Sequence, residues 1–202
     1  LLRARPLHNV FLDYVVSSGL LGRVPGFWGF VPQGRIEAIL MIGPLGGTVL
    51  EVRNREAHEP LARAAAAAEL RPRHIVGDES VTAPFYAAYA PFSPRVIFDR
   101  REPYYVVTRA ERPRPDSQPV LVERATERDL DETLANSALQ HREDLGDDRC
   151  GADPEGFRRR HAKDLRDGRW WVARDAARIV FQVHVGAVHR LGPGDLAALR
   201  RL

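Results

Sequence analysis

The sequence predicts a mixed α/β (α+β) chain in two successive portions, each a mostly antiparallel sheet flanked by helices. Three observations predict it. Short runs rich in Val, Ile and aromatic residues alternate with longer stretches of helical spacing along all 202 residues. A polar, proline-rich stretch, "RAERPRPDSQP", interrupts that alternation at 109–119. The composition, 44% hydrophobic and 28% charged, is ordinary for a globular chain and supplies one large core or two small ones. We place a first domain at 1–109, a linker at 110–118 and a second domain at 119–202.

In the first domain, "HNVFLDYVVSSGLLG" carries Val10, Phe11, Tyr14 and Val15 at helical spacing, with Gly19 or Gly22 as the stop. "FWGFVPQGRIEAILMIG" reads as a hairpin turning at Gln33-Gly34, its second strand buried from Ile36 to Ile42. "GPLGG" is a loop and "TVLEV" a short strand. "AHEPLARAAAAAEL" is helical, with Pro60 in the first turn and an alanine run of high propensity. "RHIVG" is a strand. "SVTAPFYAAYA" is a short helix that tolerates Pro84 only in its first turn. "RVIFDRREPYYVVT" gives two final strands around a charged turn.

In the second domain, "VLVERAT" is a strand. "TERDLDETLANSALQHREDLG" is an amphipathic helix begun by Thr126 and Asp129 in a capping box, with Leu130, Leu134, Ala138, His141 and Leu145 along one face. "DDRCGAD" is a loop. "PEGFRRRHAKDLRDG" is a second helix, with Phe157, His161 and Leu165 on one side and Gly168 as the stop. "RWWVARDAARIVFQVHVGAV" closes the portion as a hairpin. In it Phe181, Val183 and Val185 form an apolar face opposite Val180, Gln182 and His184.

Charge and composition exclude several classes. The net charge of +3 lies wholly in residues 1–109, and residues 110–202 balance to zero, so neither half is a concentrated basic surface. With no aromatic–basic stripe either, this argues against nucleic acid as a partner. No stretch approaches the roughly 18–20 apolar residues of a membrane span, and the start shows no secretory signal. The single cysteine, Cys150, has no internal disulfide partner, which favours a reducing, cytoplasmic setting. Its neighbour Arg149 favours a thiolate, but no histidine is fixed beside it, so a nucleophile is not expected. No histidine pair has metal spacing, and "GPLGG" lacks the residues of a phosphate-binding loop.

The order strand, helix, helix, strand, strand in the second portion resembles the amino-terminal half of a GNAT-superfamily N-acetyltransferase. More narrowly, the chain resembles a bacterial two-part group in which a domain of unknown function, DUF4081, precedes a GNAT domain. The resemblance rests on Asn9-Val10-Phe11, on "GRWWVARD" at 168–175 and on "VFQVHVGAV" at 180–188. The first portion has the order of a GNAT-like domain lacking its first strand, so the resemblance implies tandem GNAT-like portions. It implies acetyl-CoA as co-substrate and a small-molecule or peptide amine as acceptor. The rival expectation is a non-catalytic GNAT-like module for binding or homodimerisation.

In GNAT enzymes a Gly-rich loop after the fourth strand points backbone N–H groups at the cofactor pyrophosphate, and pantetheine pairs with the edge of that splayed strand. After Val188 only "HRLGPGDLAALRRL" follows, which is not that loop, so the resemblance implies that the acetyl-CoA-binding part is missing from the second portion. At the equivalent point of the first portion stands "TVLEVRNREAHEP", a strand-to-helix turn without glycine, whose Arg53 and Arg55 either reach an anion or lie solvated on the turn. The end of the first GNAT helix borders the acceptor site, which makes Glu143 and Asp144 the candidates for holding a cationic amine; a solvated acidic helix end is the alternative. His184 is either a base aimed into a cleft or a residue of the strand's solvent side.

Overall fold

A computed structural model describes residues 1–23, 26–93, 95–96, 98–103, 121–146 and 148–187. The protein is mixed α+β, and its internal contacts divide it into two compact units, Leu1–Asp99 and Arg100–Leu202. The linker expected at 110–118 lies outside the described residues. Among the described residues, no helix is long and apolar enough to cross a membrane.

In the first unit, α1 (Val10–Ser17) precedes three antiparallel strands, β1 (Gly26–Phe30), β2 (Ala38–Ile42) and β3 (Gly47–Val52). β2 reads Ala-Ile-Leu-Met-Ile, and every residue of it is buried. An unbroken apolar run of this kind suits a central strand covered on both faces. Ile39 and Met41 pack against Leu12 and Val15 of α1. Ala38, Leu40 and Ile42 face the opposite way, onto a core that includes Leu61, Val81, Phe85 and Tyr89. The β1–β2 turn falls where expected, with Gln33 and Gly34 at φ 52° and 77°, a conformation glycine adopts without strain. β2 begins at Ala38 rather than at the expected Ile36, which lies beyond the last strand pair, Phe30–Ala38, and is 57% exposed.

α2 (His58–Ala67) crosses over to β4 (His74–Ile75), which pairs parallel to β3, and α3 (Glu79–Tyr89) follows. Leu61, Ala62 and Ala65 seat α2, and Val81, Phe85 and Tyr89 seat α3. Asp78 caps α3 by accepting the Ser80 N–H at 2.8 Å. The Ser80 hydroxyl, helped by the Ser80 N–H and Arg5, outweighs burial and lowers the Asp78 pKa to about 2. Pro84 stands inside α3, not in its first turn as expected. It removes the N–H that would bond the Ser80 carbonyl, and both residues are exposed on the side of the helix away from the buried stripe of Val81, Phe85 and Tyr89. Of the two strands expected in 95–108, the first does not form at residues 95, 96 and 98, which have no regular structure, and the second, at 104–108, lies outside the described residues. Val96 and Phe98, beside the charged Asp99-Arg100-Arg101-Glu102 run, are exposed.

In the second unit, β5 (Val122–Arg124) leads into the expected capping box: Asp129 Oδ2 accepts the Thr126 N–H at 2.7 Å and the Thr126 hydroxyl at 3.0 Å. α4 (Leu130–Leu145), α5 (Arg149–Ala152) and α6 (Pro154–Arg166) follow. β6 (Trp170–Asp175) and β7 (Arg178–His184) complete an antiparallel sheet of order β5-β6-β7. The loop expected at "DDRCGAD" contains α5, because Asp148 accepts the Gly151 N–H at 2.9 Å and caps a single turn. α6 buries Phe157, His161 and Leu165 as its spacing predicts. α4 does not bury the expected line: Thr133 and Ser137 are its innermost side chains, while Leu134, Ala138 and His141 are only half-buried.

The hairpin also reverses an expectation. Ala173 pairs with Phe181 and Arg174 with Ile179, so Val180 is the extra residue of a β-bulge. Ile179, Gln182 and His184 consequently share the face that the helices cover, while Val180 is 58% and Phe181 43% exposed. The polar side of this strand faces inward because α4 and α6 present it with polar partners.

Candidate functional site

Two features of the first unit meet where β3 runs into α2. The first is the free edge of β3. In the β2–β3 ladder, Gly43 donates to the Gly47 carbonyl at 2.8 Å and Arg53 to the Glu37 carbonyl at 2.9 Å. That alternation turns the backbone groups of Thr48, Leu50 and Val52 toward the opposite edge. Val76 donates to the Thr48 carbonyl at 3.0 Å, but β4 pairs only with Gly47 and Thr48. Among the described residues, no strand bonds the outward backbone groups of Leu50 and Val52.

The second feature is a cavity of about 440 Å³ lined by Arg35, Ile36, Glu37, Arg53, Asn54 and Arg55. The β1–β2 connection and the β3–α2 loop build it together. Asn54 fixes both: its Nδ2 donates to Glu37 Oε2 at 2.7 Å, and its Oδ1 accepts the Glu56 N–H at 3.0 Å. His58 at the start of α2 meets the Arg55 carbonyl through Nδ1 at 2.8 Å. The cationic turn that the sequence shows at Arg53 and Arg55 is thus joined by Arg35, which sequence spacing alone does not place there.

The second unit adds a polar network to its apolar core of Ala125, Leu165, Trp170, Val172 and Ile179. Gln182 Nε2 donates to Ser137 Oγ at 3.1 Å and to the Thr133 carbonyl at 3.4 Å, and its Oε1 accepts from Asn136 at 3.2 Å. The Thr133 hydroxyl donates to the Asp129 carbonyl at 2.7 Å, so its oxygen accepts from His161 Nε2–H at 2.9 Å. Trp170 lies between two imidazoles, with centroids 4.4 Å from His161 and 4.7 Å from His184. His184 Nε2 is 3.4 Å from Asp164 Oδ2, without hydrogen-bond alignment. Burial pushes the His161 pKa down to about 4, the nearby Asp164 opposing this and His184 adding to it. Asp129 is buried, which raises its pKa, but the Thr126 N–H and Arg174, at 2.6 Å from Oδ1, outweigh that and lower it.

The residues singled out from sequence are placed as follows. Glu143 and Asp144 occupy the last turn of α4; Glu143 is exposed and Asp144 half-buried, accepting from Gln140 at 3.3 Å. His184 faces the helices, not solvent, where it stacks on Trp170. Trp171 takes the other face of β6 with the Arg124 guanidinium 5.2 Å over its ring. Cys150 is a half-buried free thiol in α5. Sequence reasoning missed the Gln182–Ser137–Asn136 network. The signal was present in the helical i, i+4 spacing of Thr133 and Ser137 opposite a polar strand position. Compared with protein-family profiles, curated proteins and solved structures, the chain matches none.

Proposed function

We propose that the chain is a GNAT-like protein that binds acetyl-CoA and takes part in transfer of its acetyl group to an amine. The free β3 edge at Leu50 and Val52 carries this reading. An amide-bearing arm such as pantetheine requires backbone donors and acceptors of that kind beside a strand that leads into a helix. The strand plans support it. The first unit runs as an antiparallel meander, a crossover helix and a parallel strand; the second runs as strand, helices and hairpin. Both match the order of GNAT-like portions. In this reading, β3 rather than the end of the chain supplies the carrier's edge. The acceptor is a small-molecule or peptide amine in a cytoplasmic setting. The neutral amine attacks the thioester carbonyl, the C–S bond breaks, and the proton shed by the nitrogen reaches the departing sulfur by way of a carboxylate or water, so that coenzyme A leaves as the thiol.

The direct test is thermal unfolding with acetyl-CoA, combined with thiol release in the presence of an amine panel. A site filled at 100 times its dissociation constant stabilises the protein by about 2.7 kcal/mol. No shift at millimolar acetyl-CoA would remove the reading; a shift without thiol release would retain binding and remove catalysis. A second reading, a dimerisation module, is favoured by the exposed Val122, Val180 and Phe181 on the second sheet. Sedimentation decides it: a dimer dispersed by Phe181→Lys supports it, and a monomer at all concentrations excludes it.

A further inference from the structure

We infer that Arg35, Arg53 and Arg55 form a binding site for a phosphate monoester or diphosphate group. Three guanidiniums and one carboxylate line the cavity, and that carboxylate, Glu37, is already engaged by Asn54 at 2.7 Å. Two positive charges are therefore left over. Among the described residues, Arg35, Arg53 and Arg55 form no ion pair, and the Arg53 side chain bonds only the Leu1 carbonyl, at 3.3 Å. Two other arginines of the same unit do meet acids, Arg5 between Glu51 and Asp78 and Arg63 against Glu59 at 2.5 Å; what sets the three apart is that they converge on one concavity.

Three like charges at one concavity repel one another, and a ligand with at least two adjacent negative charges removes that repulsion. A guanidinium presents a planar fork of donors that fits phosphate oxygens two at a time. The volume, about 440 Å³, falls in the range of small-ligand sites. The supports are pre-set: Arg53 N–H is held by the Glu37 carbonyl at 2.9 Å, Arg35 N–H by the Pro32 carbonyl at 3.1 Å, and the Arg55 carbonyl by His58. Ile36, exposed at the rim, offers an apolar contact to whatever the phosphate is attached to. These are side-chain contacts on two connections, not glycine-loop amides. The inference stands without the acyl-transfer reading, because its probe has no thioester, pantetheine or nucleoside.

The test is calorimetric titration of the full chain with inorganic pyrophosphate, and separately with citrate, a carboxylate polyanion. Expected is one site for pyrophosphate, weakened about tenfold or more by Arg35→Gln or by Arg55→Gln. Arg63→Gln, which alters an arginine outside the cavity, should leave it unchanged. Arg35→Lys, which keeps the charge and loses the fork, should fall between. The three cavity arginines are exposed, so the variants should melt with the parent, and melting curves check this. Three results would overturn the inference: no binding at about 10 mM pyrophosphate, equal binding of citrate, or binding unaffected by Arg35→Gln and Arg55→Gln.

Discussion

The two sheets of this protein bury their faces differently. In the first unit both faces are covered, α1 on one and α2 with α3 on the other, and the strand between them is wholly apolar. Among the described residues of the second unit, α4 and α6 cover one face of the sheet, and that face carries Gln182, His184 and Trp170 beside Ile179 and Val172. The first core is held by packing. The second is held by packing plus a hydrogen-bond network whose members must all be present, since an unmatched polar group in a closed interior is costly. The difference teaches that inward-facing does not mean apolar: the strand side with more hydrophobic side chains, Phe181 and Val183, is the one away from the helices.

Four substitutions or titrations sharpen the contrast. Phe85→Ala in the first core should cost about 3–5 kcal/mol in denaturant unfolding, the range for emptying a packed aromatic site; Phe85 is fully buried and stacked 5.9 Å from Tyr89. A cost below about 1 kcal/mol would mean that this core is loose. Gln182→Ala in the second core should cost about 1–3 kcal/mol, because Ser137 and the Thr133 carbonyl lose their donor and Asn136 its acceptor. A neutral result would show that water replaces the side chain.

Acidification should act on the second unit first. His161 is held neutral, with a pKa near 4 against 6.5 unperturbed. The unfolded chain therefore takes a proton that the fold refuses between about pH 6.5 and 4, and stability falls across that window as pH falls. Allowing for screening, the loss is about 2 kcal/mol, and His161→Phe should flatten it. Below that window Asp78, with its pKa lowered to about 2, adds a further loss as it is protonated. Stability unchanged from pH 7 to 4.5 would contradict the buried, neutral assignment of His161. The smallest effect belongs to the exposed bulge residue: Val180→Thr should change stability by less than about 0.5 kcal/mol, and a cost above about 1.5 kcal/mol would show that something packs on it.

Much of this architecture was legible in the residues. The run at 36–42 announced a buried strand, Gln33-Gly34 its turn, and Thr126 with Asp129 a helix start; each is a local signal with one common structural solution. The inward face of β7 was not legible, because alternation gives two faces without saying which the helices cover, and the bulge at Val180 resets the phase. The burial of Thr133 and Ser137 was hidden for a related reason, since hydrophobic spacing picked Leu134 and Ala138 instead. At the candidate site, Arg53 and Arg55 could be read as a cationic turn. The approach of Arg35 depends on the β2–β3 register and the Asn54–Glu37 bond, which are long-range facts. The free edge of β3 depends on how early β4 ends, which a five-residue "RHIVG" pattern does not specify.

The measurement that tests the central claim most directly is residue-resolved amide hydrogen exchange of the Leu50 and Val52 N–H groups, with and without acetyl-CoA. With acetyl-CoA bound at this edge, both amides should become strongly protected, while the Ile39 and Met41 amides on central β2 stay as they were. Pyrophosphate alone should leave Leu50 and Val52 unchanged. If saturating acetyl-CoA leaves them exchanging as in the free protein, β3 is not where the carrier binds and the acyl-transfer account is wrong.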